Sequence, residues 1–364
     1  MRVFKYYIVM LAAVSLVPFA MAEDKPNETT QLILAIDLTD GSRLFGTTSI
    51  NSISIQTTQA KMDIVLSQVQ SIEIADDRET ASLELKDGDK LNGALTIEPI
   101  ALKTVIGQVA VAVRHIASIK VSRPLRNLPV KMNRRLALYY SFDEDEGEKV
   151  TDLSGEMRHG KLVDAILTKG KNGRGYTFDG KTSHIVLPDP AMLSSKKELT
   201  VSFWLRQETI KVTTLLMQGV WGAGGMTVHM GTTPTGEIGM GVNSITKGDR
   251  SMCTLVTTSV KNGEVWHHIV ATFNGGTFVA YVDGSRDQAK TEYRLSPFDK
   301  ETVESPPLTT TPASVESIRI GSGYRREHGH DGPSSAFHGD MDELMIWHRA
   351  LTETEVKQLY DSQK

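Results

Sequence analysis

The chain has 364 residues, a formal net charge of −4, 40% hydrophobic and 23% charged residues, and a single cysteine. Its length and apolar content suit two folded domains with real cores. The near-neutral charge excludes the basic stripe of a nucleic-acid binder, and one cysteine excludes an intrachain disulfide framework or a Cys-rich metal site.

Residues 1–22 carry Arg2 and Lys5, an apolar run from Tyr6 to Ala20, and Ala20-Met21-Ala22 ahead of Glu23-Asp24. A basic end, an apolar stretch short for a bilayer and small residues before an acidic start make a secretory signal with an A-x-A cleavage site. The protein is therefore expected to be exported to a periplasmic, cell-envelope or extracellular location, with no membrane span after cleavage. Loss of Arg2 and Lys5 takes the formal charge from −4 to −6. Cys253 has no partner in an exported chain and is expected to be a buried thiol.

A shift of 47 residues lays Asp40-Gly41-Ser42-Arg43-Leu44-Phe45-Gly46 on Asp87-Gly88-Asp89-Lys90-Leu91-Asn92-Gly93. Continued without a gap, it brings Ile50 to Ile97, Val69 to Ile116, Ser71 to Ser118 and Ile72 to Ile119. Such self-similarity marks one supersecondary unit used twice. Alternation at Ile53, Ile55 and Thr57 makes the segments strands, and Asp40-Gly41 and Asp87-Gly88 fit two-residue hairpin turns. Residues 23–122 are thus expected to form a small duplicated β domain, two bent meanders related by a pseudo-twofold. The pattern resembles small SH3-like or Sm-like barrels, although mixed charge and scarce aromatics argue against nucleic-acid binding. The Arg43/Lys90 and Asp40/Asp87 pairs read as turn chemistry. Residues 123–135, with two prolines and five basic residues, read as a solvated linker.

Beyond the linker, ordered motifs follow: Leu138-Tyr-Tyr-Ser-Phe-Asp, Val150-Thr-Asp-Leu-Ser-Gly, Gly175-Tyr-Thr-Phe-Asp-Gly, Leu199-Thr-Val-Ser-Phe-Trp-Leu, Trp266-His-His-Ile-Val-Ala-Thr-Phe, Phe278-Val-Ala-Tyr-Val-Asp-Gly, Ile318-Arg-Ile-Gly and Gly339-Asp-Met-Asp-Glu-Leu-Met-Ile-Trp. In this order they resemble the laminin-G-like and pentraxin-like branch of the concanavalin A-like lectin/glucanase superfamily, over residues 136–362. The fold class is accordingly all-β: residues 136–364 are expected to form a two-sheet jelly-roll sandwich. Val201, Phe203 and Leu205 share one strand face, and Asp283-Gly284 closes a hairpin. Thr352-Glu353-Thr354-Glu355 is a capping box that opens a short C-terminal helix with Val356, Leu359 and Tyr360 facing the sandwich.

Glucanases of the superfamily carry Glu-x-Asp-x-x-Glu on one strand, the paired carboxylates that retaining hydrolysis needs. The sandwich lacks that motif. Asp143-Glu144-Asp145-Glu146 reads as a solvated turn and Asp342-Glu343 as a solitary pair, so the expectation is no enzyme. The resemblance implies calcium, and Asp152 and Asp342 are its candidate ligands, the alternative being that they cap loop amides. Two arginines and three histidines in the 322–338 loop argue against a pentraxin double-calcium site. His328, His330, Asp331 and His338 are candidate transition-metal ligands there, or simply loop histidines. Candidate ligand contacts are Trp221, on the glycine-rich 219–225 stretch, with Tyr324 and Arg325; Trp221 either stacks on a sugar or packs down in a hairpin. The functional expectation is an exported, non-catalytic protein that binds a carbohydrate or a protein through the jelly roll. A glucanase-type hydrolase and a cell-envelope spacer are the alternatives. The 290–316 insertion is either disordered or part of a binding surface.

Overall fold

The computed structural model describes residues 32–364 apart from 87, 97–98, 105, 123–129, 209–210, 223–224, 233–236, 247–248, 257–264, 276, 289–290, 295–316 and 328–329. Residues 1–22, expected from sequence to be a signal segment, Asp87, His328 and most of the 290–316 insertion lie outside them, as does the side chain of Cys253. Residues 31–364 form one compact unit. Among the described residues no helix is long and apolar enough to cross a membrane.

The first ten strands are β1 (Leu32–Leu38), β2 (Arg43–Thr48), β3 (Ser52–Gln56), β4 (Lys61–Val65), β5 (Val69–Ile74), β6 (Ala81–Leu85), β7 (Lys90–Leu95), β8 (Ile100–Thr104), β9 (Gly107–Val111) and β10 (Ile116–Ser122). They make one sheet in the order β4-β3-β7-β6-β5-β10-β1-β2-β8-β9. Adding 47 to each residue number carries β1 to β5 onto β6 to β10 and reverses that order. The β5/β10 pairing lies on the axis, with Ile72 opposite Ile119 and Ser71 opposite Lys120. Each set of five strands lends its β3-β4 or β8-β9 hairpin to the other: Gln56 pairs with Ala94, and Thr47 with Lys103. At both crossings a glycine admits the partner strand. A Cβ on Gly46 would lie 2.6 Å from the Lys103 carbonyl oxygen, and one on Gly93 would lie 2.3 Å from that of Gln56. Alternate residues such as Leu32, Leu34, Ile36, Ile53, Ile55, Leu83 and Leu102 meet in one apolar cluster. A long sheet with its core on one face must curl over itself. The first turn differs from the two-residue form: Thr39–Gly41 is a three-residue loop. In it Gly41 (φ +83°) donates to the Leu38 carbonyl and Leu38 donates to that of Ser42.

The remainder is a sandwich. Its first sheet orders Ile166–Lys169, Arg174–Asp179, His338–Trp347, Glu198–Gln207, His267–Asn274, Thr277–Val282 and Ser285–Arg286, with Leu136–Tyr140 beside His338–Trp347. The second runs Lys149–Val150, Gly160–Val163, His184–Leu187, Ile318–Ile320, Thr213–Gly222, Gly225–Thr232, Ile238–Thr246, Asp249–Val256 and Thr291–Arg294. Val201, Phe203, Leu205, Ile269 and Phe273 of the first sheet meet Ile185, Leu216, Met230, Met240 and Ile320 of the second in the core. The outer face of the first sheet is also covered. Val270, Tyr281, Met345 and Trp347 pack under Val356 and Leu359 of helix α1 (Glu353–Gln363), which opens with the expected capping box.

Two expectations change here. Part of the 123–135 stretch is docked: Met132 is fully buried in the cluster under α1, and its carbonyl accepts the Trp347 Nε1 proton at 2.7 Å. The 322–338 stretch is a hairpin of Gly323–Glu327 and His330–Ser334, of which the first strand pairs in parallel with Thr213–Gly222.

Candidate functional site

Asp152 organises the Thr151–Arg158 loop. One carboxylate oxygen accepts the amides of Tyr139 (3.0 Å) and Ser154 (2.9 Å); the other accepts the Ser154 hydroxyl (2.8 Å) and the Arg158 amide (2.9 Å). Four donors occupy both oxygens, so this carboxylate caps its loop and offers no open lone pair to calcium. The loop it shapes joins the two halves of the unit. A Cβ on Gly155 (φ +88°) would sit 3.0 Å from Cβ of Ser122 at the end of β10. Next to it, Lys120 Nζ lies 2.6 Å from Glu156 Oε2, which also takes Arg158 at 3.4 Å. Burial pulls the Glu156 carboxyl upward, but the Lys120 hydrogen bond and the charges of Lys120, Arg158 and Arg43 hold it below its ordinary range.

Asp342 sits apart from that loop, inside the strand His338–Trp347. Its carboxylate accepts the amides of Asn172 (2.9 Å) and Glu343 (2.7 Å). Burial, and then the charges of Glu343 and Asp143, push its pKa up to about 8 despite those bonds. Glu343, at φ 52°, turns its carboxylate to the Tyr139 hydroxyl and the Gln363 amide, each at 2.9 Å. Asp143, Glu144, Asp152, Lys149, His159 and Glu343 help line a cavity of about 620 Å³ between the halves. Asp152 and Asp342 therefore serve different partners and do not form one site. Among the described residues no group of three or more His, Cys, Asp or Glu is placed to hold a metal ion. Asp342 is flanked by the negative charges of Glu343 and Asp143.

The outer face of the second sheet carries a different cluster. Ile318 and Ile320 point into the core, which turns Arg319 outward, in register between Val186 and Met217. Its guanidinium lies 4.3 Å from the centre of the Tyr324 ring, and Nη1 is 2.9 Å from Nε2 of His184. The Trp221 backbone pairs with that of Arg325. The backbones of the three candidate contacts named from sequence, Trp221, Tyr324 and Arg325, are thus brought together where these two strands pair. The glycine-rich stretch around Trp221 is a hairpin between Thr213–Gly222 and Gly225–Thr232. Arg319 and His184 were missed. Their signal was the alternation itself, one polar residue between two core isoleucines and another beside Ile185.

Two other polar pairs are structural. His268 is fully buried beneath α1, bonded to Ser202 at 2.9 Å and stacked near Trp204 and Tyr360, and burial drives its pKa down to about 3. His267 bonds instead to Asp283 at 2.9 Å, so the adjacent histidines form no joint site.

With this geometry in hand, residues 179–357 match a family model described as the concanavalin A-like lectin/glucanases superfamily. No curated protein matches the chain. Among solved structures, domain 4 of AbnA, a GH43 extracellular arabinanase from Geobacillus stearothermophilus in complex with arabinotriose, is 20% identical with a TM-score of 0.42. The match covers 62% of this chain and 98% of that one. The binding domain of Paraclostridial Mosquitocidal Protein 1 is 15% identical with a TM-score of 0.46, over 64% of this chain and 53% of that one. A Trypanosoma rangeli sialidase in complex with 2,3-difluorosialic acid is 13% identical with a TM-score of 0.46, over 91% and 53%. The chain spans about half the length of the latter two. Family match and sheet architecture agree on a concanavalin A-like jelly roll, the match lying within the sandwich at residues 179–357.

Proposed function

We propose that the chain is an exported, non-catalytic binding protein whose jelly roll recognises a carbohydrate or protein ligand on the outer face of its second sheet. The observation that carries this reading is the Arg319 cluster. A guanidinium held between an aromatic ring at 4.3 Å and an imidazole at 2.9 Å is oriented before any ligand arrives, which lowers the ordering cost of binding. Tyr324 is half-buried with its ring against that guanidinium, the kind of aromatic and cationic pair that suits a sugar or protein contact. Export rests on the basic, apolar and small-residue succession of residues 1–22.

The absence of catalysis is supported by how the acids are engaged. Asp342 and Glu343 are buried and engaged by the fold's own donors, Asn172 on the first and Tyr139 and Gln363 on the second. Calcium, where present, belongs beside Asp342 rather than Asp152. The ten-stranded sheet is read as a 47-residue unit used twice, on the strength of the equivalent crossings at Gly46 and Gly93.

The reading is tested by incubating the full chain with a panel of insoluble polysaccharides and following both depletion from solution and reducing ends. Depletion without new reducing ends is expected. Reducing ends that disappear in Glu343→Gln would instead establish a hydrolase.

A further inference from the structure

The 47-residue correspondence supplies an internal comparison. Both strand crossings of the ten-stranded sheet share one backbone arrangement, with a glycine against the partner carbonyl. Around Gly46 the crossing carries Phe45, Lys103, Ile106 and Lys120. Around Gly93 the corresponding positions are Asn92, Gln56, Gln59 and Glu73. The fold requires the glycine, and at these four positions it accepts neutral or acidic residues, whereas Arg43 has the basic counterpart Lys90 and belongs to both crossings. Phe45, Lys103, Ile106 and Lys120 are therefore not a demand of the architecture.

That first crossing faces the jelly roll. Together they enclose a cleft of about 560 Å³, which Arg43, Lys103, Lys120, Lys131, Arg134 and Arg135 line. Glu156 is the one acid of the lining, and it is already committed to Lys120 and Arg158. Arg43 is held by Asp37 at 2.5 Å. Lys103, Lys131 and Arg134 are exposed and have no carboxylate partner among the described residues. Phe45 is half-buried in the same lining, and Ile106 at its rim is 81% exposed. The lysine and arginines of residues 131–135 are carried by the segment that Met132 anchors in the core, so the fold fixes their backbone in place.

We propose that this cleft is a second binding site, distinct from the Arg319 face, and that it takes an anionic oligosaccharide bearing carboxylate or sulfate groups. Unpaired cations around an aromatic and an aliphatic side chain suit a ligand with charged groups at its edge and apolar faces on its rings. The volume lies within the range of about 300–1,000 Å³ typical of small-ligand sites. Duplex nucleic acid calls for a far longer basic surface, on the order of 1,000 Å² or more.

The test titrates the full chain with four probes: oligogalacturonate, a heparin-derived oligosaccharide, a neutral cello-oligosaccharide and a short single-stranded DNA. The double variant Lys131→Glu/Arg134→Glu is run in parallel, with near-ultraviolet circular dichroism as a control for folding. Saturable binding of at least one anionic glycan is expected, the uronate and sulfate arms telling which group is read. Added salt should weaken it, and the double variant should weaken it by about tenfold or more at low ionic strength. Tyr324→Ala should leave it unchanged, which separates this site from the jelly-roll face. The proposal is overturned if neither anionic glycan saturates, if the charge reversal leaves affinity unaltered, or if the DNA or the neutral probe binds as tightly.

Discussion

Asp342 holds a proton in the folded state up to about pH 8, while an unfolded aspartate releases it near pH 4. Between those values the folded chain binds more protons, so stability falls as pH rises through the interval. His268 and His348 act in the opposite sense. Burial lowers them to about 3 and about 4, so the unfolded chain takes up their protons first, and stability falls as pH drops below about 6.5. Urea unfolding across pH should therefore show a maximum near about pH 6.5, and Asp342→Asn should flatten the fall on its alkaline side. An unchanged alkaline limb in that variant would contradict the assignment. At Asp152 the expected effect is structural: Asp152→Ala leaves four donors without an acceptor and should cost about 3 kcal/mol, equally with and without added calcium. The sequence already held both readings of Asp152, and loop capping is the one its bond geometry fits. The sequence named Asp342 as well, but not its raised pKa, which comes from burial and from the charges of Glu343 and Asp143, the latter distant along the chain.

At the level of elements, alternation made the strands legible wherever β-branched and aromatic residues recur, as in Val201-Ser-Phe-Trp-Leu205 or Ile318-Arg-Ile320. It failed at Gly323–Glu327 and His330–Ser334, because arginines, histidines and glycines carry no strand signature and the hairpin forms by pairing onto a neighbour. Met132 was hidden for a related reason: two prolines and five basic residues make its stretch read as solvated, and its burial comes from docking beneath α1. The capping box was readable because it is local. Thr352→Ala removes the acceptor of the Glu355 amide and should cost about 1 kcal/mol. Deleting 353–364 should do more, uncovering Trp347 and removing Gln363 from the Trp204 Nε1 proton, visible as a red shift in tryptophan emission. At the strand crossings Gly46→Ala and Gly93→Ala should destabilise by about 2 kcal/mol or more, since each new Cβ meets a backbone oxygen. Equal tolerance of alanine at both positions would contradict the crossing geometry.

For the whole molecule, the Asp152 loop ties the sheet to the sandwich through Gly155, Glu156 and Lys120, and two clefts of unlike charge flank that joint. One calorimetric transition is expected for the native chain. Gly155→Val, which drives a side chain into Ser122, should split it into two; a single transition in that variant would mean that the joint lies elsewhere. How the halves dock was not legible in the sequence, because the contacts join residues such as Ser122 and Gly155 whose types are ordinary. Ligand recognition by the outer face of the second sheet is read by a glycan array probed in parallel with the native chain and with Arg319→Ala/Tyr324→Ala. A defined set of bound glycans is expected, with signal lower by about tenfold or more in the double variant. The same set bound equally well by both proteins would contradict it.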